Sequence, residues 1–212
     1  MTDDIVWAGE PGSGPVVVLA HGAGAAIDSP FMEFFANELA AGGLPTGRFE
    51  FPYMRRRRAE GTKRPPDRAP VLMDAWRSVI AGLGDDGIPP SSIIIGGKSM
   101  GGRIATMVAS DTGVRGLVCL GYPFHPPGRP EKTRVEHLAD MATPMLVVQG
   151  TRDSLGSQDD VKGYDLSAKI SLAWMEDGDH SFKPRKASGR TEDQNWRDGV
   201  DAVLDWVKSL DD

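Results

Sequence analysis

The five residues Gly97-Lys98-Ser99-Met100-Gly101 limit the fold of this chain more than any other stretch. They follow an apolar run, Ile93-Ile94-Ile95, and precede Gly102–Ala109, which reads as a helix. The pattern is G-x-S-x-G between a strand and a helix. A serine on so sharp a turn is held in a strained backbone conformation, with its hydroxyl projecting from the end of a sheet. The flanking glycines are needed because side chains there would collide with the neighbouring strand and helix. The helix that follows aims its first N–H groups at the same spot.

The rest of the chain fits that setting. Short apolar runs recur at Val16–Ala20, Arg48–Phe51, Ser92–Ile95, Gly116–Leu120 and Met145–Gln149, with a more mixed run at Ile170–Met175. Most do not alternate with polar residues, which is how strands covered on both faces of a parallel sheet read. Between them, Phe31–Ala41, Ala69–Leu83 and Asn195–Leu210 carry apolar residues at helical spacing. Strand and helix alternate, so the expectation is an α/β fold, with a mostly parallel sheet of six to seven strands and helices on both faces. Ile5–Ala8 is a further candidate edge strand, and Tyr53–Pro70 reads as one long loop. There is no repeat and no linker-like composition, so residues 1–212 are read as a single domain.

A serine hydroxyl is a poor nucleophile until an oriented base removes its proton. On this fold the partners follow in the order serine, acid, histidine. Of the four histidines, His180 follows both Ser99 and the best acid, in Gly178-Asp179-His180-Ser181-Phe182 just after the last strand-like run. The acid is Asp153, at the end of Met145–Gln149 followed by Gly150-Thr151-Arg152. All three then fall at strand ends on one edge of the sheet, where open α/β folds bind ligands. Asp153 alone reads equally well as a turn cap, and His180 alone as a surface loop residue. Asp159, Asp160 and Asp177 are rival acids, but none directly follows a strand.

An acyl-transfer site also needs donors for an oxyanion. The run Val16–Ala20 enters a loop of small residues, His21-Gly22-Ala23-Gly24. The expected donors are the backbone N–H groups of Met100 and Ala23, with His21 bracing the loop. The competing reading of this loop is a plain strand-to-helix turn. A phosphate-binding loop is disfavoured because the required lysine and hydroxyl spacing is missing.

With these motifs placed, the chain resembles the α/β-hydrolase superfamily over nearly its whole length. More narrowly, it is similar to a small lidless group that includes the testis-expressed protein 30 type and the hydrolase-like domain of a histone acetyltransferase complex subunit. The matching stretches are His21–Gly24, Phe51-Pro52-Tyr53-Met54, Gly96–Arg103, Gln149–Asp153 and Gly178–Phe182. The resemblance implies a serine-hydrolase fold and carries the catalytic roles onto Ser99, Asp153 and His180. It names no substrate, and some members of the group act as scaffolds. Dienelactone hydrolases share the fold and the small size but typically place cysteine where this chain has Ser99. Only a short stretch separates Leu120 from Met145, where many lipases insert a lid, so a minimal lid or none is expected.

Composition narrows the partners. A net charge of -6 and a pI near 5.2 argue against nucleic-acid binding through a basic surface. The single cysteine, Cys119, sits in an apolar run and excludes both an internal disulfide and a cysteine-rich zinc site. No apolar stretch approaches a membrane span, and the acidic start Met1-Thr2-Asp3-Asp4 lacks an export signal, so the cytosol is the expected compartment. Arg55-Arg56-Arg57-Arg58 opens a basic stretch after Phe51. Such runs are mostly solvated faces, and the sharper reading gives Tyr53 and Arg55 a substrate contact. The sequence therefore points to a serine hydrolase of small or exposed esters or thioesters, needing no metal or organic cofactor. A hydrolase-fold interaction scaffold with a protein partner, or an acyltransferase, are the alternatives.

Overall fold

A computed structural model describes residues 4–211, and Met1–Asp3, at the head of the acidic amino-terminal stretch, and Asp212 lie outside them. One seven-stranded sheet runs through it. Its strands are β1 (Val6–Ala8), β2 (Val16–Ala20), β3 (Thr46–Phe49), β4 (Ile93–Lys98), β5 (Gly116–Leu120), β6 (Met145–Gly150) and β7 (Ile170–Met175). The spatial order is β1-β3-β2-β4-β5-β6-β7, and every neighbour pair is parallel except β1 with β3. Strands β2, β3, β5 and β6 are buried along their whole length, as the apolar runs of β2, β5 and β6 require, while β3 buries Thr46 and Arg48 as well.

Alternate residues of each strand feed two cores. Val16, Val18, Ile93 and Ile95 pack with Leu72, Trp76 and Ile80 of helix α3 (Ala69–Asp85). Val17, Leu19, Ile94 and Val148 face the other way. There they meet Phe31, Phe35 and Leu39 of helix α1 (Pro30–Ala41) and Val200, Val203 and Val207 of helix α7 (Glu192–Lys208). Each large side chain so buried contributes about 1.5–3 kcal/mol. The two layers of helices cover both faces of the sheet and leave its carboxyl edge to the loops.

Three boundaries differ from the sequence reading. The stretch from Tyr53 is not a loop at its start: helix α2 spans Pro52–Glu60. Pro52 occupies the first turn, where its missing N–H costs nothing, and Gly61 closes the helix at φ 64. The four arginines between them are good helix formers without an apolar stripe, so no periodicity announces the helix. Because Phe51 is the residue before α2, β3 lies two residues earlier than its apolar run suggests. The helix read at Gly102–Ala109 begins at Met100 and breaks after Thr106 (α4, Met100–Thr106), and a short helix α5 (Ala109–Thr112) follows. A further short helix, α6 (Gln158–Val161), follows β6. No helix among the described residues is long and apolar enough to cross a membrane.

Candidate active site

Ser99 sits between β4 and α4 at φ 52, ψ -113. A non-glycine residue there is strained by about 1–3 kcal/mol, and only a rigid surrounding can hold it. Its N–H donates to Leu120 O of β5 at 3.1 Å, and its carbonyl accepts from Arg103 N–H at 3.0 Å. Gly97, at φ 137, lets the turn form against β2: a Cβ on it would lie 2.0 Å from Ala20 O. A Cβ on Gly101 would lie 2.3 Å from the same oxygen. The glycines of the pattern are therefore steric necessities of packing β4 and α4 onto β2.

Asp153 lies just past β6 and is fully buried. One carboxylate oxygen, Oδ2, accepts from His180 Nδ1 at 2.7 Å and from Gln149 Nε2 at 2.9 Å. The other accepts from Leu155 N–H at 2.8 Å. Donation through Nδ1 leaves Nε2 of a neutral His180 as the lone-pair nitrogen. His180 and Ser99 line one cavity of about 500 Å³. Its apolar wall comes from Pro30, Phe31 and Met32 at the start of α1 and from Trp196 of α7. No residue of the segment between β5 and β6 reaches this cavity, so the place where a lid would be inserted leaves it uncovered.

The rival acids are occupied elsewhere. Asp177, at φ 52, takes the Arg185 guanidinium and the Arg185 N–H (2.7 Å), and these hold its carboxyl down to about 2. Its backbone oxygen accepts from Arg152 Nε at 3.0 Å, which ties the loop carrying His180 to the loop carrying Asp153. Asp160 closes a capping box with Ser157 at the start of α6, and Asp159 pairs with Lys162 on the surface.

The loop after β2 is braced from beneath. Phe51 N–H donates to His21 Nε2 at 3.1 Å, so the His21 proton resides on Nδ1, 2.7 Å from Gly22 O. Burial lowers the His21 pKa, which keeps that neutral form. Ala23 lines the cavity beside Ser99, and Met100 opens α4. Neither backbone N–H has a hydrogen-bond partner among the described residues.

The two expected substrate contacts are corrected. Tyr53 is fully buried, and its hydroxyl donates toward Gly22 O (3.3 Å) and Ala23 O (3.2 Å), so it supports the loop and does not face the cavity. Burial pushes its phenol up to about 12. Arg55 pairs with Asp4 and donates to Glu50 O at 3.0 Å on a separate surface. Two residues the sequence reading passed over matter more. Gln149 is a polar residue at the end of an apolar strand, and its amide clamps Asp153 to Tyr122 and Gly156. Lys98 lines the cavity and donates through Nζ to His180 O, with the rings of Phe31 and Phe182 at 5.3 and 5.9 Å. Burial lowers its pKa to about 8, against the pull of Asp153 and Asp179. In both cases the available signal was a polar side chain closing a buried strand.

Residues 13–208 match the family described as an alpha/beta hydrolase domain. The chain belongs to that family. Solved structures agree on the fold. An alpha-beta serine hydrolase homologue from Coxiella burnetii superposes with a TM-score of 0.68 at 21% identity, covering 94% of this chain and 90% of that one. A serine hydrolase without a lid from Xanthomonas campestris gives 0.67 at 17% identity, covering 97% and 88%. A dienelactone hydrolase from Anabaena variabilis gives 0.68 at 18% identity, covering 97% and 90%. Among the described residues of this α/β-hydrolase domain, no group of three or more His, Cys, Asp and Glu side chains is placed to hold a metal ion.

Proposed function

We propose that this α/β-hydrolase domain is a serine hydrolase of small or exposed esters or thioesters, working through Ser99, His180 and Asp153. The observation that carries the reading is the 2.7 Å bond from His180 Nδ1 to buried Asp153, at the edge of the cavity where strained Ser99 is presented. His180 takes the proton of Ser99 as Oγ attacks the acyl carbon. Asp153 fixes the imidazole tautomer and stabilises its cation. The Ala23 and Met100 N–H groups receive the charge that develops on the carbonyl oxygen. His180 then protonates the leaving alcohol or thiol, and water repeats the sequence in reverse to free the acid.

The cavity supports a short acyl group. Phe31, Met32 and Trp196 supply an apolar wall, and Lys98 and Glu192 place charge on the same lining. A long chain would extend past it into solvent and gain little of the roughly 25 cal/mol per Å² that burial supplies. The cytosol remains the expected compartment. A series of p-nitrophenyl esters of increasing chain length tests the reading. Short acyl groups should turn over fastest, and Ser99→Ala should lower kcat by about 10⁵-fold or more while the fold persists. A folded Ser99→Ala protein with near-normal turnover would remove Ser99 from the reaction, and preference for twelve-carbon or longer chains (roughly, the lipase range) would overturn the open-site reading.

A further inference from the structure

A second cavity of about 550 Å³ lies on the surface between α4 and the segment linking β5 to β6. It shares no lining residue with the cavity at Ser99. Arg103 of α4 and Arg134 of the linking segment both line it. Neither guanidinium forms an ion pair or a hydrogen bond among the described residues, and Arg103 Nε is buried without a partner. Most arginines of this chain reach a carboxylate, Arg48 and Arg115 among them although their Nε atoms also lack partners, whereas Arg103 and Arg134 reach none among the described residues. A buried donor left unpaired forfeits its hydration with no return. The pair also repel each other: burial and Arg103 together lower the pKa of Arg134.

The Thr106, Ser110 and Thr133 hydroxyls on the lining are already hydrogen-bonded, whereas the two guanidiniums keep free N–H donors. The Thr106 hydroxyl donates to Arg103 O at 2.7 Å and faces His137 Nε2 at 2.8 Å. The Tyr122 hydroxyl donates to Arg134 O at 2.9 Å. Two carboxylates, Glu136 and Asp140, also line the cavity, but Glu136 takes the Thr133 hydroxyl and neither pairs with an arginine. Met107 and Met141 form an apolar wall beside these charges.

We propose that this cavity is a binding site for a small phosphomonoester, its phosphate held between Arg103 and Arg134 and its organic part against Met107 and Met141. Arginine forks match phosphate oxygens in pairs, and a dianion relieves the repulsion between the two cations. The site lies one turn along α4 from the nucleophile, since Arg103 N–H is bonded to Ser99 O. It does not depend on the proposed hydrolysis.

Phenyl phosphate is the probe, titrated calorimetrically into the full chain at low salt. Saturable binding is expected, weakened about tenfold or more in both Arg103→Gln and Arg134→Gln. Lys98→Met, which removes the cation of the other cavity, should bind within about twofold of the parent. Because Arg103 lies within α4 with its Nε buried, Arg134→Gln carries the test if Arg103→Gln does not fold. Absence of saturable binding overturns the proposal. So does binding that survives loss of Arg134 or that disappears with Lys98.

Discussion

Helix α2 presents four consecutive arginines, whereas the loops at the carboxyl edge of the sheet present one serine, one aspartate and one histidine far apart in sequence. In the helix the charges are largely used up. Arg55 pairs with Asp4, Arg56 with Asp67 at 2.6 Å, and Arg58 with Asp28 and Glu50 at 2.8 Å each. At the sheet edge the polar groups are cross-braced but still directed at a cavity. Asp153 is held by Gln149 and Leu155, and the His180 loop is held by Asn195, Trp196 and Lys98. Charge density along a chain is thus a poor guide to charge available in space. Residues that end separate parallel strands converge without being neighbours, while neighbours on one helix find separate partners.

The largest effect expected to sharpen this contrast is at Asp153. Asp153→Asn should lower kcat on short esters by about 10⁴, because the amide favours the wrong imidazole tautomer. Asp160→Asn, which touches a helix cap and His125 but no residue of the Ser99 cavity, should change kcat less than about threefold. If the two effects were exchanged, the acid would have to be reassigned.

Tyr53→Phe comes next. Losing a whole oxyanion donor costs about 10²–10³ in kcat. Tyr53 only steadies the carbonyls beside one donor, so about tenfold is expected, in kcat more than in KM. A loss confined to KM would instead make Tyr53 a substrate contact.

The strands were legible because burial on both faces demands unbroken apolar runs, and Val16–Ala20 and Gly116–Leu120 coincide with β2 and β5 to the residue. Ser99, Asp153 and His180 could be placed at one edge of the sheet because each lies in the turn or loop that follows a strand. Other features depend on contacts between distant segments. Val6–Ala8 runs antiparallel only because it pairs with β3, some forty residues on. Phe31 and Trp196 read as core positions, and packing alone turns them toward the cavity as well. Nothing in Gly-Lys-Ser reveals that Lys98 folds back onto the carbonyl of His180.

Lys98 gives a prediction in stability. Its pKa falls from 10.5 to about 8 in the folded protein. Below pH 8 the group is charged in both states, and the fold bears the full cost of burying the charge. Between pH 8 and 10.5 the folded form sheds its proton while the unfolded chain keeps it, so stability from this group rises with pH. Relative to Lys98→Met, the parent should gain up to about 3 kcal/mol between pH 7 and pH 10. Paired thermal melts at several pH values measure this, and a gap that stays constant or moves the other way would contradict the burial of that charge.

The smallest effect is expected in the helix. Arg55→Ala should leave kcat/KM for neutral and carboxylate-bearing esters within about twofold, because exposed ion pairs contribute little and this one faces away from Ser99. A selective loss for anionic esters would restore Arg55 to the site.

Under the proposed mechanism Ser99 alone among the serines of this chain is activated. Labelling the intact protein with a fluorophosphonate, followed by peptide mass spectrometry, tests it most directly. One adduct is expected, on the peptide containing Ser99, that disappears in His180→Ala and forms far more slowly in Asp153→Asn. An unlabelled Ser99 in folded protein, or an adduct that persists without His180, would contradict it.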